Sequence, residues 1–205
     1  MKKLNEYFDK IYCINLDRRP DRWEKCSNLF ERDGIIVDRF SAIDKNNIKN
    51  ESNIANGPLA CLSSHWNILN KALKEGYEKI LIFEDDISFD EGLNSFFEKN
   101  LVDIPDDWKF LYLGGNHLNG LTHVKNNVFR MVSSLTTHAY AIKCDIIPKI
   151  LHLIAEANAP VDVYYAAFHR AFPSYVLKNG EKSVAWQDDD YSDVDESKCD
   201  YTWLK

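Results

Sequence analysis

Lys79-Ile-Leu-Ile-Phe-Glu-Asp-Asp-Ile-Ser-Phe89 is the stretch on which the fold turns. Ile80 to Phe83 is a short apolar run rich in β-branched residues, and such a run predicts a buried strand. It stops abruptly in three carboxylates, Glu84, Asp85 and Asp86. Open α/β sheets bind ligands beyond the carboxyl ends of their strands. Carboxylates gathered there repel one another unless a cation or a proton neutralises them. A hard divalent ion that also carries phosphate oxygens does so. The other reading is a polar exit from the strand with solvated acids, and this stretch alone supports both.

The segments on either side repeat the strand–helix alternation. Lys10 to Leu16 is apolar enough for a central strand covered on both faces. Asp17-Arg18-Arg19-Pro20-Asp21-Arg22 follows, with proline where a helix begins, and predicts a helix over 20–32 that Gly34 ends. The arginines suit a diphosphate held by bidentate, charge-assisted bonds. They equally suit pairing with Asp17 and Asp21. A second strand is expected over 35–40, and 41–56 reads as a long polar loop. After the Gly57-Pro58 turn, a helix over 59–76 places Leu62, Trp66, Leu69 and Leu73 on one stripe, closed by Gly76. Ser64 and His65 lie within it; without a G-x-S-x-G elbow they do not make a serine hydrolase.

Beyond the acidic stretch a helix is expected over 92–101 and a strand over 110–115. Gly114 and Gly115 close that strand, either in a tight turn or where backbone approaches a ligand, the turn being the simpler choice. A hairpin-like segment between His117 and His123, strands over 128–132, 136–142 and 174–177, and a helix over 146–157 complete the alternation. Asp162 stands where a residue can cap the next helical segment. The whole predicts one α/β domain with a mainly parallel central sheet flanked by helices, spanning residues 1–205.

The totals bound the function. A chain of 205 residues, 45% hydrophobic and 28% charged, has enough material for one packed domain. The net charge of −7 excludes a broad basic face for nucleic acid. Seven acids and one lysine fall between Asp188 and Asp200, so this segment holds nearly all the excess. It reads as a solvated, mobile tail over 188–205, with Asp188 to Asp190 as the other possible cation or basic-acceptor site. Five widely spaced cysteines with no C-x-x-C fit reduced thiols. With no apolar run of membrane length and no signal-peptide core, the expected location is the cytoplasm, peripheral to a membrane only through an acceptor.

Taken in order, the pieces resemble glycosyltransferase family 25, which includes lipopolysaccharide and procollagen galactosyltransferases. The matching stretches are Ile14-Asn-Leu-Asp-Arg-Arg-Pro-Asp-Arg22, Cys61-Leu-Ser-Ser-His65, Phe83-Glu-Asp-Asp86, Leu111-Tyr-Leu-Gly-Gly115, Thr137-His-Ala-Tyr-Ala-Ile142, Pro160-Val-Asp162, and Gln187 with Ser192-Asp193-Val194. Ala60 departs from the glycine usual before that cysteine. Longer members also continue past the Ser-Asp pair with acceptor elements.

The resemblance implies a GT-A-like (Rossmann-like) fold using a UDP-sugar, galactose or glucose, with Mn²⁺ or Mg²⁺. It makes Glu84, Asp86 and His138 the metal ligands. It assigns Asn15, Leu16, Asp17, Arg18, Ser64, His65, Glu84, Asp85, His138 and Gln187 to the donor. Family members invert the anomeric centre, which needs a general base; Asp162 holds that motif position, with Asp193 second. The acceptor is a hydroxyl of a glycan, a lipopolysaccharide or a hydroxylysine-type side chain, and oligomers are compatible with the pattern. A metal-dependent phosphohydrolase and a binding module without turnover remain the alternatives.

Overall fold

The computed structural model describes residues 2–189, 191–194 and 197–201. In chain order the elements are α1 (Leu4–Tyr7), β1 (Lys10–Asn15), α2 (Pro20–Arg32), β2 (Asp38–Ser41), α3 (Asn56–Glu75), β3 (Lys79–Glu84), β4 (Ile87–Phe89), α4 (Leu93–Asn100), β5 (Phe110–His117), β6 (Leu121–Lys125), β7 (Val128–Met131), β8 (Ser134–Lys143), α5 (Ile147–Ile154), α6 (Val161–Ala171), β9 (Ser174–Asn179), β10 (Lys182–Ser183) and β11 (Ala185–Gln187). The main sheet runs β2-β1-β3-β8-β5-β9-β7-β6, with β10 on β9; β11 pairs with β4 above it.

The sheet is mixed. β1 is parallel to β2 and β3, and β5 is parallel to β9. β8 lies antiparallel between β3 and β5. Following the pairings, β1, β2, β3, β5, β6 and β9 point one way and β7, β8 and β10 the other. The α/β expectation therefore holds. The reversed β8 brings its own first residues to the edge where β1 and β3 end.

Alternation along the central strands divides the core in two. Cys13, Leu81, Phe83 and Leu111 face α2 and α4, together with Phe30, Phe97 and Trp108. Ile14, Ile82, Tyr112 and Tyr140 face α3, α5 and α6, together with Leu69, Ile150 and Tyr165. Each such side chain, taken fully out of water, contributes roughly 1.5–3 kcal/mol.

The second strand begins later than expected, at Asp38 rather than Ile35. Gly34 takes a left-handed φ of 63°. The Gly34 amide then donates to the Glu31 carbonyl (3.0 Å) and the Ile35 amide to the Phe30 carbonyl (2.8 Å), the paired bonds of a Schellman closure. Ile35, only 4% exposed, seals the end of α2 instead of pairing in the sheet.

Helix α3 is turned relative to the predicted stripe. Leu62, His65, Ile68, Leu69 and Ala72 are buried, while Trp66 is 40% and Leu73 38% exposed. Gly114 and Gly115 are also not a turn, because β5 continues through them to His117. A Cβ on Gly114 would lie 1.8 Å from the Ala185 carbonyl oxygen and 2.7 Å from His138 Nε2. Close approach of β11, not chain reversal, requires glycine there.

Candidate active site

The carboxyl ends of β1 and β3, the first residues of β8, the N-terminal half of α3 and the segment after β11 enclose a cavity of about 400 Å³. That is within the range of small-ligand sites. Leu16, Arg18, Ser64, His65, Glu84, Asp85, Asp86, Asp162, Gln187 and Asp193 all line it. Residues far apart in sequence, singled out for chemistry, thus meet at one place.

The three carboxylates do not converge on one point. Glu84 Oε1 accepts a hydrogen bond from Thr137 Oγ1 (2.5 Å) and lies 3.3 Å from His65 Nε2. Asp85 turns to the other side, accepting from Asn15 Nδ2 (2.6 Å) and from Arg22 Nη1 (3.1 Å). Asp86 Oδ2 accepts from Gln187 Nε2 at 3.2 Å, and its Oδ1 is buried without a hydrogen-bond partner.

Their proton affinities differ accordingly. Burial pushes the Asp86 carboxyl up to about 7, with the charges of Glu84 and Asp85 adding to it. Burial also raises Asp85, against the pull of Arg22. For Glu84 burial acts upward too, but the hydrogen bond and charge of His65, with the Thr137 hydroxyl, outweigh it and hold the group below its ordinary value. A buried carboxylate with a bare oxygen beside two other acids is what a divalent cation satisfies, so Asp86 fits the metal implied by the resemblance.

Some expected residues stand elsewhere. Asp17 points outward, its side chain 72% exposed, to pair with Arg39 (2.7 Å) and Ser41. Asn15 is buried behind the cavity as the partner of Asp85. His138 is also behind it, fully buried beside the Ala185 carbonyl and the Gln187 side chain, with no well-formed hydrogen bond to either ring nitrogen. Burial lowers its pKa to about 4, so the ring is neutral.

Asp162 Oδ2 accepts from the Thr136 amide (3.1 Å) and its Oδ1 from the Val163 amide (2.9 Å). Thr136 has a φ of 67°, a left-handed conformation that a β-branched residue holds only under constraint. Asp193 is clamped by Arg18 Nη1 (2.7 Å) and Arg19 Nη1 (2.6 Å), with Arg22 at 4.0 Å. Burial raises its pKa, but the bonds to Arg18 and Arg19 prevail and hold it below the ordinary range. Such a carboxylate is a poor proton acceptor.

The acidic segment is anchored where it is described. Asp188 accepts from Lys25 Nζ (2.6 Å) and Ser88 Oγ (2.8 Å), and the Lys45 ammonium donates to the Asp193 carbonyl (2.7 Å). A Cβ on Gly57 would meet the Val194 carbonyl oxygen at 2.2 Å, so the segment lies directly on the start of α3. Asp190, part of the expected acidic cluster, falls outside the described residues, as do 195–196 and 202–205. Sequence reasoning missed Lys45, which carries no motif, and gave no role to Thr137, although it opens one of the matching stretches. It also missed Cys61, whose spacing of four from His65 on a helix was the available signal.

An anionic edge faced by arginines lies at the carboxyl ends of β1 and β3 in a mixed sheet, the place where α/β proteins hold ligands. The chain belongs to glycosyltransferase family 25 (LPS biosynthesis protein), whose model matches residues 8–165. A glycosyltransferase 25 family member of Aedes aegypti is 28% identical over 133 residues, covering 53% of this chain and 21% of the relative. The inactive glycosyltransferase 25 family member 3 of Homo sapiens is 27% identical over 134 residues, covering 55% and 22%. The chain thus spans about a fifth of the length of these curated relatives. Among solved structures, a glycosyltransferase involved in the glycosylation of the major capsid of PBCV-1 superposes with a TM-score of 0.44 at 11% identity, covering 72% of this chain and 66% of that one. Among the described residues, no helix is long and apolar enough to cross a membrane.

Proposed function

We propose that the chain is an inverting, metal-dependent glycosyltransferase that moves galactose or glucose from a UDP-sugar to a hydroxyl of a glycan, a lipopolysaccharide or a hydroxylysine-type acceptor. The observation that carries this reading is the bare, buried Asp86 oxygen in a cavity shared with Arg18 and Arg22. Asp86, with Glu84 nearby, would hold Mn²⁺ or Mg²⁺, which when bound neutralises the diphosphate leaving group. Arg18 and Arg22 grip phosphate oxygens with paired N–H donors. Asp162 takes the proton from the acceptor hydroxyl; that oxygen bonds to the anomeric carbon from the face opposite the departing diphosphate. His138, behind the cavity, supports Gln187 rather than touching the donor.

The test is turnover of UDP-galactose and UDP-glucose with and without Mn²⁺. Asp86→Ala is expected to abolish metal-dependent turnover without unfolding the chain, since the one hydrogen bond it removes, from Gln187 Nε2, is offset by the loss of a bare buried acceptor. Absence of both metal-dependent turnover and UDP binding with every common donor would overturn the proposal. A second reading, a binding module without turnover, draws on Asp193 occupying the arginines and on relatives whose names call them inactive. Tight UDP-sugar binding with no transfer to any acceptor would favour it.

A further inference from the structure

Cys61 and His65 stand four residues apart on α3, so their side chains lie one turn above the other on the same face. Glu84 reaches that face from the end of β3. Cys61 Sγ, one His65 ring nitrogen and one Glu84 carboxylate oxygen all lie within 4.8 Å of one another. Among the described residues this is the one group of three such ligand atoms so close together; the acidic triplet itself is not one. All three residues line the cavity, which gives an ion a path in. Cys61 forms no disulfide.

We propose that Cys61, His65 and Glu84 form a binding site for a thiophilic divalent cation of the Zn²⁺ type, which shares Glu84 with the hard-cation site at Asp86. The donor set decides the class of ion. A thiolate, an imidazole and a carboxylate suit Zn²⁺ or Co²⁺, whereas Mn²⁺ and Mg²⁺ prefer all-oxygen shells. Zinc bond lengths of about 2.0–2.3 Å set tetrahedral ligand-to-ligand distances of roughly 3.3–3.8 Å. The His65–Glu84 separation of 3.3 Å already meets that spacing, and it is long for a charge-assisted hydrogen bond.

The surroundings hold the ligands as metal sites require. His65 Nδ1 meets the Tyr140 hydroxyl at 2.8 Å, which leaves Nε2 toward Glu84, and Tyr140 in turn meets Tyr165 at 3.0 Å. The Thr137 hydroxyl fixes the Glu84 carboxylate. Charge also balances. One thiolate and one carboxylate neutralise a divalent ion, and the thiol proton leaves to solvent on binding. The fourth position opens on the cavity and takes a water.

The site is tested without any sugar nucleotide, so its outcome is independent of the transferase reading. The reduced full-length chain, freed of metal by chelator dialysis, is titrated with Co²⁺. One equivalent is expected to give a near-ultraviolet thiolate-to-cobalt charge-transfer band and visible bands of tetrahedral intensity, both displaced by Zn²⁺. Cys61→Ser should lose the charge-transfer band and weaken Zn²⁺ binding at least tenfold, with unchanged circular dichroism. Glu84→Gln should weaken binding while keeping the band, and Cys199→Ser should behave as wild type. Absence of a thiolate band in the wild type, or its survival in Cys61→Ser, would overturn the assignment.

Discussion

Gly34 and Gly114 illustrate two different demands on the same residue type. Nothing lies within 4 Å of a Cβ added at Gly34, so Gly34→Ala meets only the left-handed backbone. The expected loss is about 1 kcal/mol, read as a small drop in the urea midpoint with the slope unchanged. At Gly114 the added carbon collides with the Ala185 backbone. Gly114→Ala is therefore expected to destabilise by several times as much, on the scale of other overpacking changes. Equal effects at the two positions would contradict this account of Gly114. The sequence revealed a paired-glycine constraint but not its cause. The strand that presses on Gly114 lies some seventy positions further on, and no local pattern announces it.

At the scale of elements, the positions of strands and helices were legible because hydrophobic period and cap residues are local. Gly34, Gly76 and Pro20 mark helix ends as expected. The direction of β8 was not legible, because its apolar run reads the same in either sense. Only pairing with β3 and β5 settles it, and that reversal is what carries Thr137 to Glu84 and Thr136 to Asp162. Helix α3 was misoriented for a related reason. Trp66 and Leu73 complete a plausible stripe, but α5 and α6 cover the face centred on His65, Ile68 and Leu69. Leu69→Ala should accordingly lose about 2–5 kcal/mol of stability, while Trp66→Ala, at a half-exposed site, should lose much less. Chemical denaturation of the two variants compares them directly, and a larger effect at Trp66 would contradict the observed facing.

For the molecule as a whole, buried neutral histidines predict how stability follows pH. Burial lowers His169 to about 3 and His117 and His138 to about 4. Unfolded histidine binds its proton near pH 6.5, so below that value the unfolded chain takes up protons that the folded chain refuses. The histidine contribution is full above pH 6.5 and is lost as pH falls toward 4, offset in part by Asp86, whose raised carboxyl keeps a proton in the folded chain over the same window. His169 alone accounts for up to on the order of 4 kcal/mol by this linkage. Urea midpoints should fall steeply between pH 6.5 and 4, and His169→Gln should flatten the profile. A wild-type profile level across that window would rule the account out.

The pooling of distant residues at one cavity was legible only through the order of several weak motifs, since no single one specifies a site. The arginines are the instructive case. Their pairing with acids and their presence in the cavity are both observed, and the acid that matters is Asp193 rather than Asp17. Asp193→Asn should therefore tighten UDP binding several-fold in calorimetry while sparing the fold. If Asp193 were instead the general base, turnover would collapse and UDP affinity would stay unchanged.

The Asp193 clamp has a thermodynamic consequence for any polyanion that visits these arginines. Such a guest competes with a carboxylate tethered to the same polymer, present at a high effective concentration and never diluted. Its apparent affinity is the intrinsic one scaled by the fraction of molecules whose own anion has stepped aside. Weakly charged visitors are thereby screened out before any chemistry begins.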